Sequence, residues 1–238
     1  MEQQTILECG TIKLNSFRPL CWTNYGNNAI DKYGLPPFID GSCRREPDFQ
    51  NPFPSISALC RQGKFAPHLK TNDIVVYMTV GGRQLPYKFG HHLVAILQVE
   101  EVFNSHKVGG EYYNNCSLPI PSNCMIDGNS PCEFEKTFGN FENFSKYREF
   151  TRKVSLDQKL EGIERIVEWD NCYKWKSELW PIFVKTRPLY LEIYNPLLLD
   201  DKIVDIFQKM PNTRTPKKIT QLQLIKLAKL VGVDINME

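Results

Sequence analysis

Asp73-Ile-Val-Val-Tyr-Met-Thr-Val80 and Leu93-Val-Ala-Ile-Leu-Gln-Val-Glu-Glu-Val102 are the two stretches whose reading decides the fold. Both are short, continuous and rich in β-branched and aromatic residues, which favours strands over helices. The link 81–92 is polar and contains Gly81, Gly82, Pro86 and Gly90, so it does not make the helix a parallel crossover would need. The pair is therefore expected to be antiparallel, buried, and central to one α+β domain.

Outward from this pair, residues 16–23 read as an earlier strand ending in Cys21-Trp22, and residues 24–54, rich in Asn, Gly, Pro and Arg, as a long loop. Residues 55–62 suggest a short helix, and 107–137 read as irregular. The spacing of Phe138, Phe141, Phe144, Tyr147 and Phe150 is roughly helical, and residues 155–169 carry a better helical stripe. Late strands are expected at 181–184 and 189–194. The tail reads as two helices: 201–210, and a last one with a capping box at Thr220 and Gln223 and with Gly232 placed to end it. The division expected is one main domain over 1–198 and a C-terminal helical extension over 199–238.

The totals exclude several classes. With 238 residues, 42% hydrophobic and 24% charged, the chain is expected to bury a real core. A net charge of +2 argues against a whole-surface grip on nucleic acid and leaves room for a local basic patch. The first residues lack a signal-peptide pattern, and no stretch approaches the roughly 20 apolar residues of a membrane span, so a soluble cytoplasmic protein without membrane contact is expected. The eight cysteines form no CxxC pair and read as buried thiols. There is no P-loop, dinucleotide fingerprint, zinc-protease helix, serine elbow or deaminase signature, so neither a metal nor a cofactor is expected.

Several local groups are candidates for a site. Trp22-Thr23-Asn24-Tyr25 offers aromatic rings for stacking on a base; a core tryptophan at a strand end is the plainer reading. Arg44, Arg45, Arg61, Lys64, His68 and Lys70 form a basic lead-in suited to phosphates, or a solvated surface. His91-His92 opens the second strand, so one imidazole should face a cleft and the other solvent. Asn123 and Cys124 follow the stiff Leu118-Pro-Ile-Pro-Ser run, which suits either a ligand contact or a crossing loop.

Asn51-Pro52-Phe53, then Ser57-Ala58-Leu59-Cys60-Arg61, then Leu69-Lys-Thr-Asn-Asp73-Ile-Val-Val, together resemble the Nmad2 family of nucleotide-modification-associated domains. The family's Gly before the Asp is Asn72 here, a residue that also tolerates positive φ. Leu93-Val-Ala-Ile-Leu-Gln-Val is similar to the family's next strand, and the layout also resembles the wider PUA-like group of EVE, YTH and ASCH domains. The resemblance covers roughly residues 16–103 and extends to the late strands near 181–194, leaving out residues 104–180 and the tail. It implies a small, strongly curved β-barrel with helices around it that binds RNA or DNA and holds one modified base or nucleotide among aromatics, in systems of DNA modification or phage defence. On this reading the base-binding residues are Trp22, Asn24, Tyr25, Arg44, Arg45, Cys60, Arg61, Lys64, His91 and Asn123. Two alternatives stand beside it. One is a small enzyme on a modified nucleoside, with Lys64, Thr79 and Glu100, or Cys60 or Cys124 with a histidine. The other is a protein-interaction factor docking through the helices of 201–232.

Overall fold

A computed structural model of the chain describes residues 6–7, 10–59, 61–81, 90–133, 136–137, 159–209, 211 and 215–237. Cys60, the aromatic series at 138–150 and most of the 81–92 link lie outside the described residues. The strands are β1 (Ile6–Leu7), β2 (Ile12–Phe17), β3 (Ser55–Ser57), β4 (Ile74–Thr79), β5 (His92–Phe103), β6 (Phe183–Leu191), β7 (Leu197–Leu198), β8 (Lys217–Lys218) and β9 (Asn236–Met237). The helices are α1 (Asn24–Tyr33), α2 (His106–Asn115), α3 (Lys159–Leu179), α4 (Asp200–Phe207) and α5 (Gln221–Leu230).

The main sheet is mixed, in the order β3-β6-β5-β4-β2-β8, and it curls into a half-barrel; β7 pairs with the start of β5. The antiparallel pair anticipated from the two apolar runs is β4–β5, with Ile74 opposite Gln98, and it lies mid-sheet. Strand β2 runs parallel to β4, with Ile12 opposite Ile74. Asp73 fixes this parallel start. Its Oδ1 accepts from the Thr11 N–H at 2.7 Å, and its Oδ2 accepts from the Lys70 N–H and the Lys13 ammonium at 3.1 and 3.0 Å. Asn72, in the place of the family's Gly, has φ 69.

Side chains of β4 alternate between two cores. Ile74, Val76 and Met78 join Ile12, Leu14, Leu93 and Ile96 under α4 and α5. Val75 and Tyr77 join Phe17, Phe38, Phe49, Val94, Ala95 and Leu97 inside the curl. A bulge explains why neighbours Val94 and Ala95 share a face: Tyr77 pairs with Ala95 and Met78 with Leu93, leaving Val94 extra. Pro188 lies in β6 beyond the residues that pair with β3, where the strand is an edge and a missing N–H is tolerated.

Five expectations change. The first strand is Ile12–Phe17 rather than 16–23, because Pro19 ends the pairing and residues 20–22 coil into a 3-10 turn. The loop begins with a helix, α1, capped by the Thr23 hydroxyl and closed by Gly34 at φ 64. Residues 55–57 form a strand against β6 rather than a helix. The stretch read as irregular opens with α2; a Cβ on Gly109 would lie 2.5 Å from the Phe183 ring, so the glycine serves packing there. The late strands at 181–184 and 189–194 are one strand, β6.

The tail carries the expected capping box at Thr220 and Gln223, and Gly232 has φ 73. Ile203, Ile206, Phe207, Leu224 and Leu227 are buried against the sheet, so α4 and α5 complete one of its two cores. Leu227→Ala should cost about 2–5 kcal/mol. All four tryptophans lie outside the tail. Urea unfolding followed by tryptophan fluorescence and by far-ultraviolet dichroism should therefore move together; an early transition in dichroism alone would show that the tail folds separately.

Candidate functional site

One end of the half-barrel gathers the aromatic candidates. Beyond β2, the turn 20–22 runs beside residues 37–39: Leu20 N–H donates to the Ile39 carbonyl at 2.8 Å and Cys21 N–H to the Pro37 carbonyl at 3.1 Å. Phe38 then meets the His92 ring, with centroids 4.9 Å apart. The His92 N–H donates to Thr79 Oγ1 at 2.9 Å, which ties the start of β5 to the end of β4. Trp22 is half-buried there, with the Arg18 guanidinium 5.7 Å from its ring centroid. Asn24 and Tyr25 are exposed in the first turn of α1.

The two histidines point to opposite faces as strand geometry requires, but both are buried, so neither faces solvent, as one was expected to. Leu93 belongs to the core under the helices, so His92 faces the inside of the curl, against Phe38. His91 is buried against Gly81, where a Cβ would lie 2.4 Å from its Cε1. Burial lowers the pKa of both, that of His92 to about 4, although nearby Asp200 pulls the other way. Both rings are therefore neutral at pH 7. His92 Nδ1 is buried with no hydrogen-bond partner among the described residues. Leaving such an atom unpaired costs about 1–3 kcal/mol, which a ligand can recover. The inward histidine is thus His92 rather than the expected His91.

The other expected site residues are spent elsewhere. Arg44 clasps Asp170 through Nε and Nη2 at 2.6 and 3.0 Å, and its Nη1 donates to the Ser122 and Asn129 carbonyls. Arg45 donates to the carbonyls of Asp40, Ser42 and Lys136. Both side chains are buried, so neither is placed to meet a phosphate. Asn123 is fully buried, donating to Glu46 Oε2 at 2.8 Å and accepting from Ser55 Oγ at 2.6 Å. It does not share a cleft with Trp22. Arg61 reaches the Ser16 carbonyl of β2 at 2.9 Å, and Lys64 is exposed on the 3-10 turn 62–64.

Among the described residues, which leave out Cys60, the enzymatic groupings are not assembled either. Thr79 holds His92, whereas Glu100 pairs with Lys185 eight residues further along β5, about 26 Å away at ~3.3 Å per residue. Burial pushes the Cys124 thiol up to about 12, and Sγ contacts the His106 carbonyl, while the imidazole accepts from the Met125 N–H. A thiol held in that state is not a nucleophile. Among the described residues, no three His, Cys, Asp or Glu side chains gather to hold a metal, and no helix is long and apolar enough to cross a membrane.

Glu46 was not anticipated. Its carboxyl accepts from the Ser57 N–H at 2.9 Å, the Ser57 hydroxyl at 2.6 Å and Asn123, yet full burial pushes its pKa up to about 8. The folded protein therefore holds this proton at pH values where the unfolded chain, with an ordinary carboxyl, has lost it. Its stabilising effect is complete below the unfolded value, declines as pH rises, and is gone above about 8. Glu46→Gln mimics the protonated acid, because the serine hydroxyl and asparagine amide can turn to accept from it. Thermal midpoints measured from pH 6.5 to 8.5 should fall in the parent and stay flatter in the variant. Parallel curves would show that Glu46 does not titrate in that window.

In comparison with known proteins, the chain matches no family model, no curated protein and no solved structure.

Proposed function

We propose that the protein is a nucleic-acid-associated module of PUA-like type that holds one modified base at the end of its half-barrel, between Trp22 and His92. The observation carrying this reading is the unpartnered, buried Nδ1 of a neutral His92, set at the same end of the sheet as a half-exposed tryptophan. A neutral imidazole offers one hydrogen-bond donor and one acceptor, which suits the edge of a base, and an indole supplies a stacking face. Arg18, already above the Trp22 ring, is placed to meet the charge of an adjoining phosphate. Neither alternative has this support: among the described residues the enzymatic groups are apart, and the apolar stripe Ile203, Ile206, Phe207, Leu224 and Leu227 of α4 and α5 lies against the sheet.

The test uses short single-stranded oligonucleotides that differ only in one central base: unmodified cytosine or adenine, 5-methylcytosine, 5-hydroxymethylcytosine or N6-methyladenine. Fluorescence anisotropy should show preference for a modified member of the set. Trp22→Ala should weaken that complex roughly 5- to 150-fold, the equivalent of 1–3 kcal/mol of stacking. His92→Phe should erase the preference between bases more than the overall affinity. Equal binding of all members, or an unchanged affinity in Trp22→Ala, removes the reading.

A further inference from the structure

A second feature lies along the β2 edge of the sheet. Lys13 of β2 stands opposite Lys218 of β8. Like charges facing each other across a strand pair are destabilising. Asp73 relieves only one of them, by its ion pair with Lys13 at 3.0 Å. The same carboxylate, itself almost wholly buried, accepts from the backbone N–H of Lys70, which sets Lys70 beside the start of β2. Lys64, Lys70 and Lys218 are exposed and make no ion pair among the described residues.

The positive band continues along the strand. Arg61 reaches the Ser16 carbonyl, three residues beyond Lys13, or about 10 Å at ~3.3 Å per residue. Beyond Arg61, Gly63 leaves room for an indole: a Cβ there would lie 2.4 Å from Nε1 of Trp180. Trp180 packs edge-on to Trp175, with centroids 5.9 Å apart, and Trp175 is 40% exposed. The exposed Lys174 and Glu178 beside Trp175 offset each other in charge, so the positive balance comes from the band itself.

We propose that this band is the path of a single-stranded nucleic acid, with Lys218, Lys70 and Lys64 at successive phosphates and the Trp175–Trp180 pair stacking an unpaired base. Exposed cations beside an exposed indole are what a flexible strand requires. An acidic peptide would use the cations and leave the indoles idle, and a duplex keeps its bases stacked out of their reach. The inference extends the base-binding reading by giving the flanking strand a course beside the held base, and it is tested separately.

The probe is unmodified oligothymidylate, titrated from low to high salt by anisotropy. The parent should bind with a salt-dependent affinity. The triple variant Lys64→Glu/Lys70→Glu/Lys218→Glu should lose at least tenfold in affinity at low salt, and the slope of log affinity against log salt should flatten by about 2, from three phosphate contacts at ~0.7 each. A Lys→Gln triple, with its thermal midpoint checked, guards against misfolding of the reversed one and should show the same flattening. Trp175→Ala should weaken binding and leave the slope in place. An oligothymidylate that does not bind, an unchanged slope in both triples, tighter binding of the matching duplex, or equal competition by poly-glutamate overturns the proposal. Loss of this path with a Trp22-dependent base preference intact refutes the band alone. A normal slope with no base preference refutes only the pocket at the barrel end.

Discussion

Strand β4 has no wet side. Each of its residues from Ile74 to Thr79 is buried, and β5 matches it from His92 to Val99. Burying one large aliphatic side chain contributes roughly 1.5–3 kcal/mol, so a doubly covered pair is the main apolar store of the fold. It also imposes a demand: two separate covers must be found. The C-terminal helices supply one, through Ile203, Phe207, Leu224 and Leu227. The other comes from side chains such as Phe38, Phe49 and Phe65, on segments with little regular structure.

That second cover explains the buried polar groups. An irregular segment pressed into a core still has backbone donors and acceptors to satisfy. Asp40 accepts from the N–H groups of Ser42 and Glu46, and Asp48 from those of Gln50 and Ser122. Arg44 and Arg45 complete the set by donating to carbonyls. The charges replace a missing ladder of backbone hydrogen bonds. Their desolvation shows in Asp40, Glu46 and Asp48, all of which have raised pKa values from burial.

The legible part of the sequence was the part where one residue pattern has one physical meaning. A run of β-branched residues too short for a helix marked β4 and β5, Asn72 signalled its own turn, and Thr220 with Gln223 announced α5. Local composition misled where a distant partner decides. Residues 107–137 read as irregular, yet α2 forms at their start with Gly109 against Phe183, and Ser55–Ser57 became a strand because β6 lies beside it. The same holds for the site. Adjacent arginines resemble a phosphate grip, and nothing near them in sequence shows that carbonyls at 122 and 129 are waiting for Arg44. The alternation rule predicted that one of His91 and His92 faces inward; choosing between them needed Phe38, more than fifty positions away.

The late position of α4 and α5 bears on how the protein is made. Ribosomes release a chain from its N-terminus, so β2, β4 and β5 emerge well before residues 203–228, the side chains that cover Ile74, Val76 and Met78. During translation the half-built sheet carries a bare aliphatic face, of the kind that aggregates or recruits chaperones. The capping box at Thr220 and Gln223 then matters for timing: it lets a ten-residue helix begin from local signals as soon as it emerges and close that face quickly.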